Sequence, residues 1–410
     1  MMAFKTLEDL SINNKRVIVR ADLNVPLKDG VVTDATRIER FVPTVKRLLG
    51  QNAAIIILSH FGRPKGKAVA EFSLKPVAAA LEKALGQKVT FIETDWSDDT
   101  SKAAAQNAKP GDVLLMENTR FSAAEEKNDA VFAKQLASLG DVYINDAFSA
   151  AHRAHASTEA IAHYLPSAIG PSMQAELDAL SRVLENPEHP VLAIVGGAKV
   201  SSKLDLLGNL IHKVDRLAIG GAMANTFLAA EGHKIGDKSL VEKEMFDTAR
   251  EILAKAKLAG CEILLPLDVV AADDFKPNAP NAVYNLSNID TTRMVLDIGP
   301  ASILMMEKAI ADSRTLLWNG PFGAFEMEPF DKATNDIARY AAKLVGEGKL
   351  VAVAGGGDTV AALAKAGVEQ DFTYVSTAGG AFLEWLEGKA LPGVEALKKN
   401  DANETTRKAI

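Results

Sequence analysis

VLAIVGGAKVSSK, residues 191–203, decides the architecture: a short apolar run ends in Gly196 and Gly197 and passes into a segment carrying Lys199 and Lys203. An apolar stretch with no polar alternation reads as a strand buried on both faces, the mark of a parallel sheet. Downstream, RLAIGG (216–221), EILLPLDVV (262–270), TLLWNG (315–320), LVAVAGGG (350–357) and TYVSTAGG (373–380) read the same way. Upstream, so do VIVRADL (17–23), AAIIILSH (53–60), VTFIE (89–93), DVLLMEN (112–118) and DVYINDAF (141–148). Helical patterns lie between, among them TRIERFVPTVKRLLG (36–50), LKPVAAALEKALG (74–86) and AVFAKQLASLG (130–140), each closing on a glycine suited to a helix C-cap. Such alternation predicts α/β domains, each a mostly parallel sheet with helices on both faces.

The alternation pauses once. Met173, Leu177, Leu180 and Leu184 mark one face of a helix, and NPEHP (186–190) breaks it. The reading is two Rossmann-like lobes, 1–172 and 188–394, joined by an interdomain helix and hinge at 173–187. A length of 410 residues fits two or three domains. Apolar residues at 48% and charged residues at 24% exclude a disordered chain. The longest apolar run, 53–58, is far short of the ~20 residues that span a bilayer. Lys and Arg number 46 against 53 Asp and Glu, a net charge of −7 that argues against a nucleic-acid partner. Cys261 is alone, so no internal disulfide forms, and MMAFKTLEDLSINNKRVIVR has no apolar secretory core. A cytoplasmic protein without membrane partners is expected.

Strand exits are where open α/β sheets bind ligands. In the first lobe they carry cations: Arg20, Asp22 and Asn24 after the first strand, His60 and Arg63 after the second, Arg120 after the fourth, and His152, Arg153 and His155 after the fifth, with Arg37 opening the first helix. Guanidinium forks match carboxylate and phosphate oxygens, so this set implies a small polyanion. The second lobe instead carries glycine loops: GGAKVSSK, IGGAMANTF, NGPFGAFE, GGGDT and STAGGA. Glycine lets a backbone approach a ligand, and a following helix N-terminus offers free N–H groups to phosphate. Lys199 and Lys203, four apart, would share a helix face there. Asp358 suits Mg²⁺, and equally Asp358 or Thr359 could cap the helix. No P-loop, dinucleotide fingerprint, HExxH or GxSxG occurs. One lobe dressed for an anion and one for a nucleotide suit phosphoryl transfer, with closure to exclude water. A two-lobed solute-binding protein and an NAD-linked oxidoreductase are the rival readings.

RADLNVPL, DATRI, SHFGRP, LLMENTRF, INDAFSAAHRAHAS, VGGAKVSSK, GGAMANTFL, WNGPFGAFE, AGGGDT and STAGGAFLEWLEG follow one another from about Phe4 to about Leu397. This ordered series resembles that of the phosphoglycerate kinase family. The resemblance implies reversible transfer of the acyl phosphate of 1,3-bisphosphoglycerate to Mg·ADP, giving 3-phosphoglycerate and ATP, by direct in-line transfer after hinge closure. It implies that Asp22, Leu23, Asn24, Arg37, His60, Phe61, Gly62, Arg63, Arg120 and Arg153 hold the phosphoglycerate, and that Arg37 also stabilises the moving phosphoryl group. Lys203 would contact that group and the nucleotide phosphates, with Lys199 nearby. Gly220 and Gly221 would line the adenine pocket, Glu326 would hold the ribose, and Asn319 would also contact the nucleotide. Gly356, Gly357, Asp358 and Thr359 would take the phosphates, Asp358 the Mg²⁺, and Gly379 and Gly380 would offer N–H groups to the phosphoryl. A monomer is implied, with residues 395–410 packing back on the first domain. Ser149 and Ala378 stand where the family more often has glycine, and 168–180 departs from its usual hinge sequence.

Overall fold

The computed structural model describes residues 4–94, 96 and 99–398. The chain divides into two compact units, one holding the described residues up to Leu177 together with those from Ala390, the other Asp178–Lys389.

The first unit is built on six strands in the order Thr90–Ile92, Val113–Met116, Ala54–Leu58, Arg16–Arg20, Val142–Asn145, Ser167–Ile169. Every neighbouring pair is parallel. At its centre Arg16–Arg20 pairs residue for residue with Ala54–Leu58, all five of which are buried. The ladders are shorter than the apolar runs, because the strand ends turn out of pairing into the loops that follow. Ser167–Ile169, only three residues long, gives no periodicity to read. Helix Thr36–Leu49 lays Ile38, Phe41, Val45 and Leu48 into the core at helical spacing. Of the three expected glycine caps only Gly86 takes the left-handed conformation, at φ +67°, behind Lys75–Leu85. Gly50 stays right-handed at φ −62°. Gly140 lies beyond the helix Ala130–Ala137, where a Cβ would stand 2.6 Å from Ile18 Cγ1, so it is there for close approach to the strand. Residues 390–394, assigned from sequence to the second lobe, lie in the first unit: Leu391 and Val394 are buried and Gly393 N donates to Ala151 O at 2.9 Å. Leu397 is buried there too, while 399–410 lie outside the described residues.

The second unit has its own six-stranded parallel sheet, in the order Glu262–Leu264, Arg216–Ile219, Val191–Val195, Thr315–Asn319, Val351–Gly355, Tyr374–Ser376. Strand order reverses between Val191–Val195 and Thr315–Asn319, and such a switch point opens a crevice at the carboxyl ends. EILLPLDVV is not one strand. Pro266 cannot donate to a ladder, and the run breaks around it. Glu262–Leu264 joins the parallel sheet, whereas Asp268–Ala272 pairs antiparallel with Asn281–Asn285 and Met294–Ile298 in a separate three-stranded sheet. The expected interdomain helix runs Pro171–Leu184, and the division at 177/178 falls within it. Among the described residues no helix is long and apolar enough to cross a membrane.

Candidate functional site

In the first unit four strand exits converge on a cavity of about 200 Å³ lined by Asn24, His60, Gly62, Arg63, Arg120, Ser149, Ala150, His152, Arg153 and His155. The described lining contains three arginines, three histidines and no carboxylate. Its loops are cross-braced. Asn24 Oδ1 accepts from Gly62 N at 2.9 Å, and Arg120 Nη1 donates to Gly62 O at 2.9 Å. Asn118 accepts from Phe61 N at 3.1 Å and donates to Phe61 O at 2.7 Å. Leu23 and Phe61 are buried and support the loops from behind instead of facing the cavity. Arg63 and Arg153 are exposed. Arg37 Nη1 donates to Asn24 O at 2.9 Å and pairs with Asp22 at 2.9 Å, and Ser149 Oγ donates to the same carboxylate at 2.5 Å.

Burial, reinforced by Arg20 and Arg120, holds the His60 imidazole well below its ordinary range. Burial and then Arg120 and Arg20 push His155 down to about 3. Both rings are therefore neutral near pH 7 and add no charge to that of the arginines. Arg20, expected at the strand exit with the anion-binding set, is instead wholly buried. It is the last residue paired in the ladder, between Leu58 and Asn145, and does not line the cavity.

In the second unit the sheet's switch point opens onto a cavity of about 460 Å³. Its walls are Ala224, Leu240, Pro266, Val269, Phe275 and the strand Met294–Ile298 on one side and Pro321–Glu326 on the other, with Gly197, Gly221 and Asp358 also lining it. An apolar slot with a few carboxylates at particular points fits a flat base and ribose. Helix Gly357–Ala366 points its N-terminus from the strand Val351–Gly355. Its N-cap is Gly356, and Asp358 makes no capping bond, so the cap reading fails for that residue. Nor does Thr359 cap: its Oγ1 accepts from Gly320 N at 2.7 Å and ties two loops together. Lys203 Nζ donates to Asn319 Oδ1 at 2.6 Å, and Asn319 Nδ2 donates to Gly355 O at 2.7 Å. Burial lowers the Lys203 ammonium's pKa, against the pull of Glu387 and Asp358. Lys199 and Lys203 do not share a helix face, because a short 3₁₀ turn, Val200–Ser202, separates them and the helix begins at Leu204.

The glycines divide by what surrounds them. A Cβ on Gly221 would lie 2.7 Å from Gly197 N, one on Gly320 2.8 Å from Gly196 Cα, and one on Gly220 2.9 Å from the Phe322 ring. These three let the loops after three strands cross. Gly357 and Gly379 have nothing within 4 Å, and Gly379, at φ +52°, precedes the short helix Gly380–Leu386.

The family model described as phosphoglycerate kinase matches residues 7–389. The chain is 60% identical over 399 residues to the phosphoglycerate kinase of Methylobacterium radiotolerans, covering 97% of this chain and 99% of that one. It is 59% identical to the phosphoglycerate kinase of Brucella abortus, covering 97% and 100%. Among solved structures, phosphoglycerate kinase from Coxiella burnetii superposes with a TM-score of 0.89 at 42% identity over the whole of both chains. That from Pyrococcus horikoshii gives 0.79 at 29%, covering 95% and 98%. The chain belongs to the phosphoglycerate kinase family. It is accordingly a kinase, with the two parallel-sheet α/β domains of the phosphoglycerate kinase structures.

For a phosphoglycerate kinase, the arrangement adds residues that the sequence reading did not assign. Ser149 lines the basic cavity, beside His152 and His155, which the sequence already groups with Arg153 in AHRAHAS. Glu125 and Ser157 lie wholly buried beneath it, and nothing in AAEEK marks Glu125 as other than a solvated charge. In the second unit Asn225, only 2% exposed, lines the cavity from within the motif IGGAMANTF. The antiparallel wall at 268–298 carries no motif that could have announced it.

Proposed function

We propose that this chain moves the acyl phosphate of 1,3-bisphosphoglycerate to Mg·ADP, reversibly giving 3-phosphoglycerate and ATP. The observation that carries the reading is the contrast between the cavities: three arginines without a carboxylate in one unit, and an apolar slot beside a lysine and a helix N-terminus in the other. Arg63, Arg120 and Arg153, with neutral His60, bind the phosphoglycerate oxygens, and Asn24 with Gly62 shapes the loop between them. Arg37, held by Asp22 two residues before the cavity-lining Asn24, offers charge to the phosphoryl group in flight. Lys203 cancels charge on the nucleotide phosphates and the moving group, and the N–H groups at Gly379 and Gly380 add backbone donors. Glu326 takes the ribose.

Among the described residues no cluster of three or more metal-ligating side chains occurs. The single exposed carboxylate of Asp358 nevertheless fits Mg²⁺, which keeps several waters and binds through one carboxylate and substrate phosphates. The ion supplies neutralisation of phosphate charge when bound with the nucleotide. Direct transfer needs no covalent enzyme intermediate, and it requires the loaded domains to meet and exclude water. The reading is of a monomeric cytoplasmic enzyme without nucleic-acid or membrane partners. Titration calorimetry with 3-phosphoglycerate and separately with Mg·ADP tests it, followed by a coupled turnover assay. Saturable binding of both and turnover are expected. Binding of the anion alone would favour a solute-binding protein and overturn the reading.

A further inference from the structure

Beneath the basic cavity the wholly buried guanidinium of Arg20 has three partners. Nε donates to Ser157 Oγ at 2.9 Å, Nη1 to Ala21 O at 2.5 Å, and Nη2 lies 3.0 Å from His60 Nδ1. Its acid partner is the equally buried Glu125, reached through Ser157; burial pushes the Glu125 carboxyl up, against the pull of Arg20 and the Ser157 bonds. The Ser157 hydroxyl donates to Glu125 Oε1 at 2.5 Å and its N–H to Oε2 at 3.0 Å. Having given its only proton to Glu125, the hydroxyl is left to accept from Arg20, so every bond in the chain has a defined direction.

A guanidinium has donors and no acceptor. The contact to His60 therefore makes Nδ1 the acceptor, and a neutral ring accepting at Nδ1 carries its proton on Nε2. A second proton would set N–H against N–H. The groups acting on His60 from the surrounding elements oppose that proton as well: Arg37 from helix Thr36–Leu49, Arg120 from the turn Thr119–Phe121, and His155 from the loop beyond Asn145. Arg63, Arg153 and His152 share the cavity, and the carboxylate of Glu125 is taken up by Ser157 and, at 3.3 Å, Thr119.

We infer that Arg20 is a positioning residue of the anion site: its hydrogen bond fixes His60 as the Nε2–H tautomer, so His60 keeps an uncharged N–H donor for the cavity. The inference rests on reading this cavity as the phosphoglycerate site, but its first test does not. In the full chain with ¹⁵N-labelled histidine side chains and no substrate, long-range ¹H–¹⁵N correlation reads the tautomer directly. His60 is assigned by the signal lost in His60→Gln. An acceptor-type Nδ1 and a protonated Nε2, unchanged from pH 8 to about pH 5, are expected, where a free imidazole titrates near 6.5. Arg20→Met should populate the Nδ1–H form or restore titration. It should also raise KM for 3-phosphoglycerate about tenfold while KM for Mg·ATP stays within about twofold. Arg20→Lys, which keeps a donor-only group, should keep the Nε2–H signature. A wild-type His60 protonated at Nδ1, or titrating near 6.5, overturns the inference, as does an unaltered signature in folded Arg20→Met. If Arg20→Met does not fold, the wild-type and Arg20→Lys spectra decide. A chain with the expected spectrum but no turnover of 3-phosphoglycerate would sink the functional reading alone.

Discussion

Replacing Gly221 by alanine adds one methyl group where three loops of the second unit cross. Gly221 opens helix Gly221–Ala230 at φ +67°, a conformation that costs a residue with a Cβ about 1–2 kcal/mol. The new carbon would stand 2.7 Å from Gly197 N, roughly 0.8 Å inside van der Waals contact, with Gly197 O closer still. Gly197 is not free to yield, since Met223 N donates to its carbonyl at 3.0 Å and Gly196 packs on Gly320. Relief therefore moves the loop Gly196–Lys203, which carries Lys203, by several tenths of an ångström. A displacement approaching 1 Å costs catalysis on the order of 10²-fold, and the strain should cost stability about 2–4 kcal/mol. Coupled turnover should show that loss in kcat/KM for the nucleotide, and urea unfolding a lower midpoint. Calorimetry should show 3-phosphoglycerate binding unchanged, since its cavity lies in the first unit. Gly208→Ala is the control: it sits in helix Leu204–Leu210 with nothing within 4 Å and should stabilise by about 0.5–1 kcal/mol. Wild-type nucleotide kinetics in Gly221→Ala would refute the argument that the loops are close-packed by glycine.

Three further outcomes are expected. Arg37→Ala should cut turnover by about 10³-fold with nucleotide affinity nearly unchanged, because its charge acts on the moving group; full activity would remove it from the mechanism. Asp358→Ala should weaken Mg·ADP binding about tenfold and leave metal-free ADP binding much less affected, and an unchanged Mg²⁺ dependence would leave Asp358 a first-turn charge only. Asp146 is buried, and burial raises its carboxyl to about 6 from 3.8 against the hydrogen bonds of Thr44, Met173 and Ser172. Its folded form therefore holds the proton more tightly than the unfolded form. The stability that this proton supplies is complete below about pH 4 and is lost as pH rises through 6, on the order of 3 kcal/mol. Measured against Asp146→Asn, wild-type stability should fall across that window; parallel unfolding curves would contradict it.

What the sequence made legible was whatever repeats locally. Every central strand of both sheets announces itself as an apolar run, and each run ends where a loop carries a cation or a glycine. The exceptions share a cause, which is that their meaning lies in a distant partner. Ser167–Ile169 is a strand only because Tyr143–Asn145 lies beside it. Asp268–Ala272 is antiparallel because Pro266 parts it from Glu262–Leu264, so a single apolar run served two sheets. Ser149 stands where the family more often has glycine, and its hydroxyl reaches the carboxylate that holds Arg37. Glycines, in turn, were legible as a class but not individually. Gly221 and Gly320 are excluded volume between loops, whereas Gly357 and Gly379 leave space open.

Arg20 shows where the boundary of local reading falls. Along VIVRADLN, Arg20, Asp22 and Asn24 look like three polar residues at one strand exit. The ladder separates them: Arg20 still pairs on both sides, with Leu58 and Asn145, while Asp22 and Asn24 lie beyond pairing. A side chain inside a ladder flanked by strands on both edges remains in the packed layer, where an unpaired charge is far too costly to keep. Such a cation demands a buried acid nearby, and Glu125 supplies it through Ser157 from more than a hundred residues along the chain. Residues past the last pair meet no such demand and can present their charge to a ligand. Being paired or unpaired thus separates Arg20, held in the packed layer against His60 Nδ1, from Asp22, which pairs with Arg37, and Asn24, which lines the cavity.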